Sequence, residues 1–303
     1  MDKFNLIISD EIKEAIYNKK PVVALESTLI SHGLPYPENL NIALSSINAV
    51  RLKGSIPATI AIIEGKVKIG LNENDINILA KSKDIEKVSI HNLSISINNN
   101  THAATTVASS IYLASLAGIK FFSTGGIGGV HLESEKTFDV SSDLNQLSKT
   151  KMNVICSGAK SILDISKTYE HLETLGIPRI GYNTKYMPGF WYYQTDKKVD
   201  YNYENIDNLV NYIKIQENHN LNCSTLIFNT APKNSTIDKQ TIDQWIKKSV
   251  HKAKELSIDG KKLTPFLINE INNLSKNKTL KVNSELIVNN ASLASSIAAK
   301  YFC

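Results

Sequence analysis

The sequence has 303 residues, a length that suits one large domain or about two smaller ones. Hydrophobic residues make up 42% and charged residues 21%, which is ordinary for globular proteins and excludes a disordered chain. The 34 basic and 29 acidic side chains leave a net charge of +5 that is spread along the chain. This distribution excludes a strongly electrostatic nucleic-acid binder, so no nucleic-acid partner is expected.

Two further features of the sequence bear on location. The apolar run near the N-terminus is short and is interrupted by Ser9 and Asp10, so it predicts neither a signal peptide nor a membrane span. The cysteines at positions 156, 223 and 303 form no CxxC pair and no paired framework, which favours a reducing compartment. We therefore expect a cytoplasmic protein with no membrane partner.

The predicted elements alternate between helices and strands along the chain. Helices are predicted over residues 12–17, 37–51, 72–80, 103–117, 143–147, 158–175, 241–255 and 284–301. Strands are predicted over residues 22–25, 57–63, 67–70, 87–89, 120–123, 152–156 and 180–182. This alternation predicts an α/β fold with a largely parallel sheet. No drop in complexity marks a boundary around residues 185–203, so we expect a single domain over 1–303.

Reactive residue types follow several predicted strands, and open α/β sheets bind ligands at the carboxyl ends of their strands. Glu26 follows the strand over 22–25 and is either a loop carboxylate that caps a helix or a general acid in a cleft. Residues 124–131 contain four glycines, which let backbone N–H groups approach an anion. The run does not match GxGxxG or a P-loop, so a dinucleotide site is poorly supported. The alternative is a tight turn under a packed helix, and the four glycines with the following His131 favour a phosphate or sugar cradle over that turn.

A group of oxygen-bearing side chains lies within residues 137–143. Asp139 and Asp143 flank the hydroxyls of Ser141 and Ser142, and hard divalent cations prefer such oxygen ligands while keeping several waters. Asp143 is also a candidate N-cap for the helix that follows. Both readings hold if Asp139 binds a metal ion and Asp143 contacts the substrate.

Lys160 lies in the first turn of the helix predicted over 158–175, directly after an apolar strand. The positive end of the helix dipole favours the neutral amine there, and a neutral amine is a nucleophile. A lysine that only stabilised the helix would lie at the other end, so this position favours chemistry over a solvated surface role. Cys156, in the preceding strand, is expected to be an inert core thiol.

Two more features carry little information when each is taken alone. Lys87, the first residue of the short strand predicted over 87–89, is by itself a surface lysine. The run Trp191-Tyr192-Tyr193 is more typical of packing or of an interface than of a base-stacking platform.

A series of short motifs occurs in order from about Pro21 to Tyr301. They are ALEST at 24–28 with SHG at 31–33, PYPEN at 35–39, PATIA at 57–61, ATTVA at 104–108, the glycine run at 124–131, TFD at 137–139 and GAKSILD at 158–164. Together these motifs resemble the pseudouridine-5′-phosphate glycosidases, the indigoidine synthase A-like family.

The resemblance implies a fold, a reaction and an assembly. The fold is a three-layer α/β/α domain, and the assembly is a homotrimer. The reaction is the reversible conversion of pseudouridine 5′-phosphate and water into uracil and ribose 5-phosphate, by a glycosidase of the hydro-lyase type. The implied cofactor is Mn²⁺, one ion per subunit, coordinated mostly by water.

The resemblance also implies a role for each matching residue. Glu26 matches the proton donor, Lys160 the covalent nucleophile and Asp139 the metal ligand. The residues that match substrate contacts are Lys87, Val107, Thr124, His131, Ser141, Ser142, Asp143 and Asn283. Thr124 and His131 lie where the family holds the phosphate.

Ordinary glycosidases use two catalytic carboxylates. The chemistry of pseudouridine 5′-phosphate agrees better with a catalytic pair of one lysine and one carboxylate. Pseudouridine joins ribose to carbon, so the leaving group has no lone pair to protonate. An amine at C1′ opens the ribose ring, and the bond to uracil C5 breaks as C5 is protonated. The runner-up is a Schiff-base lyase or aldolase that acts on another sugar phosphate. An inactive homologue is disfavoured because Glu26, Asp139 and Lys160 are all present.

Overall fold

The computed structural model describes residues 6–258 and 260–303. The strands are β1 Leu6–Ile8, β2 Val22–Leu25, β3 Ile56–Ile63, β4 Lys66–Ile69, β5 Glu86–Val88, β6 Ala103–Thr105, β7 Phe121–Ser123, β8 Asn153–Cys156, β9 Arg179–Tyr182, β10 Tyr201–Tyr203 and β11 Thr225–Phe228. The helices are α1 Asp10–Tyr17, α2 Thr28–Ser31, α3 Glu38–Leu52, α4 Glu73–Lys81, α5 Leu93–Asn98, α6 Val107–Leu116, α7 Ser134–Thr137, α8 Ser142–Leu147, α9 Ile165–Thr174, α10 Ile206–Asn218, α11 Lys239–Glu255, α12 Gly260–Leu274 and α13 Lys278–Phe302. A 3-10 turn spans Ile90–Asn92.

The strands form one sheet in the order β1-β4-β3-β2-β7-β8-β11-β9-β10. From β3 to β10 every neighbouring pair along this path is parallel. At the other end β4 and β6 both run antiparallel to β3, and β5 pairs with β6. The expected α/β class with a largely parallel sheet is confirmed.

Alternating side chains of the central strands enter two separate cores. In β2, Val22 and Ala24 pack in one core, which includes residues of α1, α6, α9 and α11. Val23 and Leu25 pack in the other, which includes residues of α3, α10 and α13. A strand buried on both faces needs a helical layer on each side, so the fold has three layers, α/β/α, as expected. No helix of the described residues is long and apolar enough to cross a membrane.

The structure corrects the predicted elements in several places. The helix predicted over 103–117 begins at Val107, because residues 103–105 form β6 and the Thr106 side chain caps the helix. The helix predicted over 158–175 begins only at Ile165, where Asp164 supplies the cap. Strand β1 and helix α12 were not predicted, and α13 begins six residues before the predicted start at 284.

Candidate active site

The candidate site lies where three adjacent strands end. Strand β7 is bonded to β2 on one side and to β8 on the other, and all three are parallel. Their carboxyl ends therefore meet at one edge of the sheet. Glu26 follows β2, Thr124 follows β7 and Lys160 lies four residues beyond β8. The sheet topology thus brings together residues that are far apart in the sequence.

Two connected cavities open at this edge. The wider cleft has a volume of about 480 Å³, and a narrow chamber of about 80 Å³ adjoins it. Glu26, Lys87 and Lys160 line both. The other predicted site residues on the wider cleft are Val107, His131, Asp139, Ser141, Ser142 and Asp143, while Asn283 lines the chamber. Ligand sites in proteins are commonly clefts of this size.

Glu26 is only 5% exposed and its carboxylate is held on both sides. The hydroxyl of Thr28 donates to one carboxylate oxygen and that of Thr124 donates to the other. The N-cap of α2 is Ser27, so the reading of Glu26 as a helix cap is wrong. Thr124 is not among the residues that line the two cavities, and its hydroxyl is bound to the Glu26 carboxylate.

Lys160 lies in the loop between β8 and α9, so its placement in the first turn of a helix is wrong and the dipole argument does not apply. The loop is instead held against the glycine run. The N–H of Ile127 donates to the Gly158 oxygen at 3.0 Å, and the N–H of Lys160 donates to the Ile127 oxygen at 3.1 Å. Gly158 permits this turn, since its φ is +86°.

Lys87 belongs to the same group of charges and is not an ordinary surface lysine. Its side chain is open to water through the mouth of the cleft, while the surrounding protein lowers its pKa by desolvation. The positive charge of Lys160 lowers that pKa further, and Asp143 and Glu26 partly offset both effects. Two lysines and a buried carboxylate therefore act on one another across the cleft.

Most backbone N–H groups of the glycine run, residues 124–131, form hydrogen bonds within the protein. The N–H groups of Thr124, Ile127, Gly128, Val130 and His131 all donate to protein oxygens. These five amides are engaged with the protein, so a phosphate cradle in this run would depend on the amides of Gly125, Gly126 and Gly129.

Asp143 joins three elements and does not cap α8. Its carboxylate accepts from the N–H of Ala108 at 2.9 Å and from the N–H of Gly128 at 2.8 Å. The cap of α8 is the Ser141 side chain, so the N-cap reading of Asp143 is wrong. A Cβ on Gly128 would overlap the Ser141 side chain and lie 2.8 Å from the Asp143 carboxylate, which explains the glycine there. The Ser142 hydroxyl meets that of Ser89 at 2.7 Å.

His131 and Asp139 lie side by side on the wall of the wider cleft. The backbone N–H of His131 donates to the Asp139 carbonyl oxygen at 3.0 Å, and the side chains approach to 3.8 Å, between His131 Nδ1 and a carboxylate oxygen of Asp139. Burial lowers the pKa of His131, Asp139 partly restores it, and the charges of Lys160 and Lys87 lower it again. The imidazole is therefore neutral near pH 7, and the Asp139 carboxylate has no strong cationic partner from it.

The donor set restricts the kind of metal ion that this wall could hold. No group of three or more His, Cys, Asp or Glu side chains in the described ranges could coordinate a metal. Asp139 is a partly exposed carboxylate beside a cleft large enough for several waters. This arrangement fits a hard divalent cation that keeps most of its water, and it does not fit a site that depends on thiolate or several histidines.

The narrow chamber contains residues that the sequence did not reveal as functional. Phe190 and Trp191, on the loop after β9, form part of its wall. The indole of Trp191 is 1% exposed and donates from Nε1 to the Asn283 oxygen at 2.8 Å. Thr28 and His32 line both cavities. The motifs ALEST and SHG contain the last two residues, and this was the only local signal for them.

Comparison with known proteins identifies the family to which the chain belongs. The family model described as indigoidine synthase A like protein matches residues 11–300. A protein of Brachyspira hyodysenteriae named pseudouridine-5′-phosphate glycosidase is 45% identical over 98% of this chain and 96% of its own length. A protein of the same name from Staphylococcus aureus is 45% identical over 96% of this chain and 94% of its length.

Solved structures share the fold at lower identity. The prealnumycin C-glycosynthase AlnA, solved in complex with ribulose 5-phosphate, has a TM-score of 0.92 and 33% identity, covering 100% of this chain and 98% of that one. An indigoidine synthase A-like protein from Thermotoga maritima has a TM-score of 0.90 and 32% identity, covering 98% of this chain and 97% of its own.

Proposed function

Because this chain belongs to the indigoidine synthase A-like family, we propose that it is a pseudouridine-5′-phosphate glycosidase. The reaction is the reversible conversion of pseudouridine 5′-phosphate and water into uracil and ribose 5-phosphate. The observation that carries the proposal is the meeting of Lys160, Lys87 and the buried Glu26 at one cleft. Relatives that bear this name are about 45% identical over nearly the full chain, which supports it.

The proposed chemistry begins with the side-chain nitrogen of Lys160. This nitrogen bonds to C1′ while the bond from C1′ to the ring oxygen breaks, and the oxygen takes a proton. Next, uracil C5 is protonated, the C1′–C5 bond breaks and its electron pair returns to the uracil ring. The lysine is left as an iminium at C1′, and water hydrolyses it to ribose 5-phosphate and the free amine. One water is consumed in each turnover.

Glu26 is the proposed proton donor for this sequence. It is the buried carboxyl that lines both cavities, so it borders the space for the sugar and the space for the base. The hydroxyls of Thr28 and Thr124 fix its orientation. A general acid held in one orientation needs no rearrangement before it donates, which favours rapid transfer.

The remaining residues are proposed to bind the sugar phosphate in the wider cleft. Lys87 supplies the positive charge for the phosphate, with His131 beside it. The Ser141, Ser142 and Val107 positions complete the wall. Asp139 would hold Mn²⁺ through one carboxylate and several waters. A bound Mn²⁺ would supply a hard positive charge for phosphate or sugar oxygens.

A second candidate is a Schiff-base lyase or aldolase that acts on a different sugar phosphate. The structure of AlnA in complex with ribulose 5-phosphate supports this candidate, because AlnA has the same fold at 33% identity. The lysine chemistry would be shared, and only the base and the sugar would differ. We further propose that the protein is cytoplasmic and assembles as a homotrimer.

Uracil release is the direct test of the proposed function. The purified full chain should convert pseudouridine 5′-phosphate into equal amounts of uracil and ribose 5-phosphate when Mn²⁺ is present, as followed by chromatography. Uridine 5′-phosphate, in which the base is attached through nitrogen, is the matched control substrate. Absence of uracil, with turnover of ribulose 5-phosphate instead, would contradict the proposal in favour of the second candidate.

A further inference from the structure

The narrow chamber contains a histidine to which no role has been assigned. Within the part of the chain that the structure describes, Nε2 of His32 is buried and has no hydrogen-bond partner. Buried polar atoms are nearly always paired, because removing them from water without a partner costs free energy. His32 lines both the chamber and the wider cleft. This ring nitrogen therefore lacks a protein partner in a residue that borders two cavities.

The other nitrogen of the ring determines what Nε2 can offer. The imidazole lies near the backbone carbonyls of Glu86 and Ile85, which oppose the lowering of its pKa. The tautomer with its N–H on Nδ1 leaves a lone pair on Nε2. Burial lowers the pKa of His32, and Lys87 lowers it further against the opposing backbone contacts, so the ring is neutral near pH 7.

A hydrogen-bond donor, the side-chain amide of Asn283, lies in the same chamber. The Trp191 indole can only donate, so the amide oxygen of Asn283 must face it, at 2.8 Å. The NH₂ group of Asn283 then has its N–H bonds to offer to the chamber. One small space therefore contains an acceptor, His32 Nε2, and a donor, Asn283 Nδ2. A ring that carries N–H and C=O side by side complements this pair.

We propose that His32 Nε2 accepts a hydrogen bond from a ring N–H of uracil, while Asn283 donates to a ring carbonyl. The inference rests on the proposed function, which supplies uracil as the leaving group. In pseudouridine both ring nitrogens carry hydrogen, because the sugar is attached to carbon. His32 is thus a residue for recognition of the base, distinct from Lys87 and Lys160 on the side of the sugar phosphate.

A matched pair of variants distinguishes the roles of the two ring nitrogens of His32. His32→Asn keeps an N–H near the backbone carbonyls and removes the acceptor, whereas His32→Gln places an amide oxygen close to the position of Nε2. In the synthetic direction, His32→Asn should raise the KM for uracil about 10-fold, the effect of one lost hydrogen bond. The KM for ribose 5-phosphate and the borohydride labelling of Lys160 should change less than about 2-fold. His32→Gln should recover part of the affinity for uracil, and His251→Gln, on the exposed side of α11, should match the wild type.

N-methylated bases identify the contact directly. The wild type should have a higher KM for either 1-methyluracil or 3-methyluracil than for uracil, because the methyl group replaces the N–H that donates to His32. His32→Asn should lose that difference in KM. An unchanged KM for uracil, or methyl penalties equal in wild type and variant, overturns the inference. A larger effect on ribose 5-phosphate than on uracil also overturns it, since His32 would then act through Lys87. A wild type that cannot join uracil to ribose 5-phosphate refutes the proposed function itself.

Discussion

Glu26 is held by two threonine hydroxyls at the boundary between the two cavities, and this position predicts the effect of removing its proton. Glu26→Gln should keep the fold, because the side chains are nearly isosteric and the amide oxygen can still accept from one threonine. It should lower kcat by about 10²–10⁴, the usual range for loss of a general acid. Measurements of kcat and melting temperature on Glu26→Gln, with Glu14→Gln on α1 as control, provide the check. A nearly normal kcat would make Glu26 structural.

Lys160 is predicted to form a covalent imine with ribose 5-phosphate, because it is the lysine that the loop after β8 directs to both cavities. Reduction with borohydride should add the mass of the reduced pentose phosphate to the peptide that contains Lys160. Lys160→Arg keeps the positive charge but should abolish the adduct. Lys87→Arg should still be labelled at Lys160. An adduct found on Lys87 in the wild type would reverse the assignment of the two lysines.

Asp139 is predicted to hold the divalent cation through its single carboxylate. EDTA should abolish turnover in the wild type, and Mn²⁺ should restore it. Asp139→Asn should need more than about 10-fold more Mn²⁺ for half-maximal activity, because loss of a direct ligand should cost at least as much as loss of an outer partner. Asp10→Asn, at a fully exposed carboxylate on α1, is the control. Full activity of Asp139→Asn in EDTA would contradict the metal assignment.

Helix α6, helix α8 and the glycine run meet at one buried carboxylate, that of Asp143. Asp143→Ala leaves the N–H groups of Ala108 and Gly128 without their acceptor, and each buried unpaired donor costs about 1–3 kcal/mol. Asp143→Asn should cost less, because its oxygen can still accept from one of them. The free energy of unfolding, measured with urea, should fall more for Asp143→Ala than for Asp164→Ala, which removes a partly exposed helix cap.

The same elements explain why the position of Lys160 was misjudged. A helix was predicted from Gly158 because the segment is apolar at helical spacing, but the Asp164 side chain caps Lys167 and starts α9 seven residues later. The residues in between instead pair with the glycine run through Ile127. Pairing with a neighbouring loop is a tertiary effect, and local spacing cannot reveal it.

The pH dependence of stability is a property of the whole molecule. His32 contributes to it in a direction that follows from its lowered pKa. Its pKa is lowered in the folded protein, so between the ordinary value of 6.5 and the lowered value the unfolded chain binds the additional proton. This contribution to stability is therefore present above pH 6.5 and is lost as the pH falls through that window.

Thermal melting between pH 7.5 and pH 5.5 tests this sign. The melting temperature of the wild type should fall toward pH 5.5, and His32→Asn should show a smaller fall because it cannot be protonated there. His251→Gln, on a solvent-exposed turn of α11, should behave as the wild type does. Equal falls in the wild type and His32→Asn would mean that burial of His32 does not affect stability.

Local sequence was sufficient for the class of the fold and for most of the candidate residues that line the two cavities. Buried strands read as short apolar runs, and the alternation of strands and helices indicated a parallel sheet whose carboxyl ends form the site. Glu26 and Asp139 were found because they lie in motifs that occur in order along the chain. These features depend on neighbours in the sequence, so the sequence alone carries them.

Contacts between distant segments decided the remainder. Thr124 binds Glu26 across 98 residues, and Asn283 on α13 accepts from Trp191 across 92. No local pattern encodes such a pair, because it forms only when the sheet has brought the segments together. The same is true of His32. Its unpartnered Nε2 suggests a ligand contact only because several distant elements build a chamber beside it. Two amides of the glycine run likewise donate to Asp143 and Thr168, which reach them only in the folded chain.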